Sequence, residues 1–216
     1  MTKHNGANDF TLAEEIWHAI THGLGLFLSL IGSVVLIAYA TLNGSILAIV
    51  SSSIFSATLV IMYGSSTIYH ALTHKRIKLL FQTLDHASIY LLIAGTYTPM
   101  TLYLLQGSNY GMGILIAEWS TAIFGIYMKF KYPNRFETLS LILYVLMGWL
   151  IVIAISPLRE VLVDNGFYLL VAGGVTYTLG VYFYINDSKP YYHALWHLFV
   201  LGGSVFHYFM ILLYVV

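Results

Sequence analysis

The chain has 216 residues, of which 59% are hydrophobic, 16% aromatic and only 8% charged, whereas about a quarter of the residues of a soluble domain carry charge. That excludes an ordinary soluble protein and leaves an all-α, polytopic membrane protein. Nine Lys and Arg balance nine Asp and Glu, with no basic arm to recruit nucleic acid, and the lack of cysteine leaves nine histidines and the carboxylates to hold any metal.

Residues 1 to 16 form a short leader without the pattern of a cleavable signal, so the first apolar helix is expected to direct insertion. Thr11 followed by Glu14 reads as a capping box that starts a helix just before Trp17. A crossing needs about 20 apolar residues for about 30 Å of hydrocarbon. Such runs lie near residues 20–42, 45–70, 84–105, 110–129, 137–156, 166–185 and 192–215. The expectation is a seven-transmembrane-helix bundle forming one domain over residues 1–216. Breaks are expected at Asn43-Gly44, around Lys75, at Gly107 to Asn109, at Pro133-Asn134, at Pro157 and from Asn186 to Pro190. Pro99 is expected to bend the third span. Small residues at Gly25, Ser29 and Ser33, and Thr176 with Gly180, are expected to let helices pack closely.

Lys3, Lys75, Arg76, Lys78, Lys129, Lys131, Arg135 and Lys189 fall on one side of these spans, and only Arg159 on the other. Positive residues concentrate in cytoplasmic loops, so the N-terminus is expected in the cytoplasm and the C-terminus outside. That direction brings polar groups of several helices to one depth. The end of the second span carries YHALTH (69–74) and the start of the seventh YHALWH (192–197), so His70, His74, His193 and His197 share a cytoplasmic layer with Asp85, Glu14, Glu15, His18 and His22.

Histidines four apart lie on one helical face, as two ligands of one metal must. His18 with His22, His70 with His74 and His193 with His197 make three such pairs, against roughly 0.4 expected by chance. Spacing alone leaves two arrangements open: four imidazoles closing a structural zinc site, or three leaving a position for water, with the metal lowering its pKa toward 7. Ser66, one turn before His70, is placed to hydrogen-bond that water or a substrate oxygen, and Asp85 to accept its proton or orient it. The plainer readings are that Ser66 bonds a helix carbonyl and that Asp85 caps the third span or pairs with Lys78. Glu118 and His207 both fall about 12 Å from the outer face by helical rise and are expected to touch or to share a water-filled pocket.

The pattern Ser66-Thr67-Ile68-Tyr69-His70, then Asp85 in LDHASIYLLIAGTYTP, then His193-Ala194-Leu195-Trp196-His197 resembles the progestin and adiponectin receptor family, in particular its bacterial haemolysin III branch. EEIWHAITHG and HALWHLFVLGGSVFHY add to the likeness, which covers essentially the whole chain. The resemblance implies a zinc ion held by His70, His193 and His197, with Ser66 and Asp85 beside it, Glu15 and His22 in supporting positions and no ligand role for His74. Similarity to alkaline ceramidases implies hydrolysis of an amide or ester in a membrane lipid. The alternatives are a zinc-stabilised sensor of membrane state that turns nothing over and, ranked last because no span carries a sustained polar stripe, a pore. Three histidines favour zinc over other divalent metals.

Overall fold

The computed structural model describes residues 10–216, so the expected position of Lys3 lies outside the described residues. The described chain is helical, with seven helices long and apolar enough to cross a membrane: Leu12–Asn43, Ile46–Ala71, Lys75–Leu104, Asn109–Lys131, Glu137–Val161, Asp164–Ile185 and Tyr192–Tyr214. They are numbered here as spans one to seven. Spans one and two, two and three, three and four, and six and seven pack as neighbours, and span seven also closes on span one.

Span one starts at its capping box. The Thr11 side chain accepts from the Glu14 N–H at 3.3 Å, and the Glu14 carboxylate accepts from the Thr11 N–H at 3.0 Å, so two unpaired N–H groups at the helix start are each satisfied by the other residue's side chain. The helix therefore begins at Leu12, ahead of the apolar run that starts near residue 20. Span three likewise begins at Lys75 and not near residue 84. Hydropathy marks where hydrocarbon begins, whereas helix geometry extends into the polar layer wherever side chains can hold it. Lys78 does so there, donating to the carbonyls of Tyr69 and Leu72 at 3.1 Å and so closing the end of span two.

Both prolines inside spans change local geometry. The helix of span three turns to π form over Pro99–Leu104, because Pro99 has no N–H for the ordinary ladder. Pro157 does not end span five as expected. That span tightens to a 3₁₀ segment over Leu150–Ala154 and resumes as Ile155–Val161, so Pro157 falls in a first turn, where a missing N–H costs nothing.

Apolar side chains such as Val34, Leu42, Ile46 and Ile123 face outward, as expected where lipid is the solvent. Helix association there rests on close packing and hydrogen bonds more than on water exclusion. Gly25 lies directly beneath the ring of Tyr63, and Gly180 beneath Trp196 and Phe199, with no room for a Cβ at either. The Tyr63 hydroxyl donates to Ser204 Oγ at 2.7 Å, tying span two to span seven, and Tyr208 donates to the Gly32 carbonyl at 2.8 Å, tying seven to one.

Candidate metal centre

Spans two and seven bring His70, His193 and His197 together, so that one ligand atom from each lies within 4.8 Å of the others. All three rings are buried. Two of the rings are hydrogen-bonded through Nδ1. His70 Nδ1 donates to Glu15 Oε2 at 2.7 Å. His197 Nδ1 lies 3.1 Å from Thr21 Oγ1, whose own proton goes to the Trp17 or His18 carbonyl, so the ring nitrogen is the donor. His193 Nδ1 lies 3.8 Å from Asp187 Oδ2.

A ring that donates from Nδ1 is left with an unprotonated Nε2, the tautomer a metal ligand needs, and a carboxylate behind a histidine is the usual support of such a ligand. His70 Nε2 is buried without any partner among the described residues. Three converging imidazoles fit a borderline divalent ion such as zinc.

His74 is not part of the cluster. Span two ends at Ala71, and His74 is exposed as the residue preceding span three. The four-residue spacing that would align it with His70 applies only inside a continuous helix.

Ser66 is fully buried. Its Oγ lies 2.7 Å from His22 Nδ1 and faces the carboxyl of Asp85, which also faces His193. No helix carbonyl holds the Ser66 hydroxyl among the described residues. An ionised Asp85 can only accept, so Ser66 donates to it and accepts from His22. His22 in turn stacks on His197, with centroids 3.5 Å apart and planes 12° apart. Asp85 lies well inside span three and caps nothing. Lys78, its proposed alternative partner, pairs instead with Glu15 at 2.8 Å.

The supporting residues come mostly from the first turns of span one. Glu14 reaches the Tyr191 N–H through Oε1 at 3.0 Å and so pins the turn that launches His193 and His197. Tyr191 has φ +62°, a left-handed conformation, and this carboxylate holds it there. Glu15 and His22 were legible as supporting residues. Glu14 showed only as a cap and a member of the polar layer, and Thr21 carried no signal beyond its place between two histidines.

An apolar cavity of ≈ 130 Å³ begins at His22, Asp85, His193 and His197 and continues past Tyr144 and Tyr177 to Trp149 and His207. His207 follows His197 by ten residues, about 15 Å along the helix. The expected pairing of His207 with Glu118 does not form among the described residues. His207 Nε2 donates to the Leu170 carbonyl at 3.2 Å, both Glu118 oxygens are unpartnered, and Glu118 does not line the cavity. Helical rise gives depth but not direction around the axis.

A family described as Haemolysin-III related matches residues 10–208. The chain is 46% identical over 207 residues to "Hemolysin-3 homolog" of Bacillus subtilis (strain 168), covering 96% of this chain and 97% of that one. It is 45% identical over 202 residues to "Hemolysin-3" of Bacillus cereus, covering 94% and 92%. Against "Monocyte to macrophage differentiation factor" of Homo sapiens it is 27% identical over 213 residues, covering 96% and 87%.

Proposed function

Because the chain belongs to the haemolysin-III-related family and is a multi-pass cell membrane protein, we propose that it is a zinc-dependent hydrolase of an amide or ester bond in a membrane lipid. The observation that carries this reading is the convergence of His70, His193 and His197 beside an apolar cavity lined by His193, His197 and Asp85. His70, His193 and His197 would hold the ion. When bound, it supplies a Lewis acid that polarises a carbonyl and lowers the pKa of water.

The chain's own residues do the rest. Asp85 accepts the proton of the attacking water. The Ser66 hydroxyl, held by His22, turns from Asp85 toward the oxygen on which charge develops and donates to it. The cavity takes the acyl chain and keeps bulk water from the reacting bond. The lysines and arginines concentrated at this end of the bundle support a site at the cytoplasmic face.

The test is Asp85→Asn, with zinc counted by elemental analysis and fatty-acid release followed from vesicles containing ceramide or ester lipids. Zinc is expected to stay and turnover to fall by about 10²-fold or more. Unchanged turnover would remove Asp85 from this role. Zinc without turnover on any lipid in the wild-type protein would leave the sensor, and dye leakage from the same vesicles would raise the pore from last place to first.

A further inference from the structure

His18 is fully buried, and neither of its ring nitrogens has a partner among the described residues. The three-histidine centre does not use it. Its ring lies edge-on to His70 with centroids 4.7 Å apart and is covered by Phe10, also at 4.7 Å. Its Nδ1 lies 4.0 Å from Glu15 Oε2, the oxygen that is 2.7 Å from His70 Nδ1. One ligand atom each from Glu15, His18 and His70 lies within 4.8 Å of the others.

We propose that Glu15, His18 and His70 form a second divalent-cation subsite, joined to the first through the two nitrogens of the His70 ring. The proposal rests on the reading of His70, His193 and His197 as a metal centre, because His70 is shared. The donor set, two imidazoles and one carboxylate oxygen, suits the same borderline ions, zinc or copper(II). When the second ion binds, His70 Nδ1 loses its proton to solvent and the ring bridges as an imidazolate. One proton is released for each second ion taken up.

Charge is partly balanced within the cluster. Lys78 approaches Glu15 on the other oxygen, Oε1, at 2.8 Å and is anchored there by the Tyr69 and Leu72 carbonyls, so it does not compete for Oε2. The carboxylate and the bridging ring each bring one negative charge against the lysine and the incoming ion. The subsite also explains why His18 and His22, four apart on one helix, look to different partners. His22 turns to Ser66 on the cavity side, while His18 lies against Glu15 and Phe10 and does not line the cavity.

The experiment uses the full chain in detergent, stripped with chelator and dialysed against zinc, with metal counted by elemental analysis. Two zinc ions per chain are expected for the wild type, one for His18→Ala and none for His70→Ala. Loaded with copper(II), the wild type should give the spin-coupled resonance spectrum of an imidazolate-bridged pair, and His18→Ala the spectrum of an isolated ion. His18→Asn gives the same count if the alanine variant does not elute as a folded species. One zinc per chain, kept in His18→Ala and lost in His197→Ala, overturns the second subsite and leaves the first centre standing. A single zinc lost in both variants makes His18 a ligand of one ion and overturns it equally. No zinc in the wild type overturns both readings.

Discussion

The hexapeptides at 69–74 and 192–197 differ at one position, Thr73 against Trp196, and have opposite structural fates. In the second, the helix runs on, so His193 and His197 lie one turn apart on one face and both reach the centre. In the first, the helix stops after Ala71, so His70 is buried in the centre while His74 sits outside at the head of the next span. The difference is one of context. Trp196 lies against Gly180 and 5.4 Å from Tyr184 of span six, where the helix has a neighbour to pack on. At Thr73 the chain must turn back into span three, and Lys78 takes the freed carbonyls. Near-identity over six residues does not set a ligand pair; the helix around it does.

That contrast can be broken in several ways. The largest effect is expected from His70→Ala and His197→Ala, each of which should weaken zinc binding by more than about 100-fold, above the range for an outer partner; competition with a chromophoric chelator measures it. Chelator treatment of the wild type should remove about 2.7 kcal/mol of stability if free zinc had stood at about 100 times Kd. The melting temperature should fall accordingly, with no shift in His70→Ala. Glu15→Gln keeps the shape but weakens the support of His70, and about a 10-fold to 100-fold loss of zinc affinity is expected in the same competition. Thr21→Val removes one acceptor of His197 Nδ1, about 1 kcal/mol, and leaves the His18 carbonyl at 3.3 Å, so a change of a few fold is expected. His74→Ala sets the floor, with zinc content unchanged and stability within about 0.5 kcal/mol. Zinc lost in His74→Ala would erase the distinction between the two hexapeptides.

Much of the fold was open to reading in advance because lipid imposes a simple rule: a crossing helix must be long and apolar. The seven runs mark themselves by length, and Asn43-Gly44 and Pro133-Asn134 mark their ends. The misreadings fall where that rule is silent. Lys75 to Gln82 is helical although half of it is polar, and Pro157 sits harmlessly in a first turn. Glu118 and His207 share a depth but not a face.

The sequence by itself determined the class of protein, the number of crossings and the layer in which His70, His193, His197, Ser66 and Asp85 would meet. These depend on hydrophobic length and helical periodicity, both local properties of the chain. Only the tertiary structure decided which imidazoles converge and which nitrogen each presents, because that depends on how spans one, two and seven are rotated about their axes. It also decided that Glu14 pins Tyr191, that Glu15 and Thr21 hold the ligand rings, and that His18 is buried against the rings of His70 and His193. Each of these is a contact between residues far apart in sequence, set by packing that no single helix encodes.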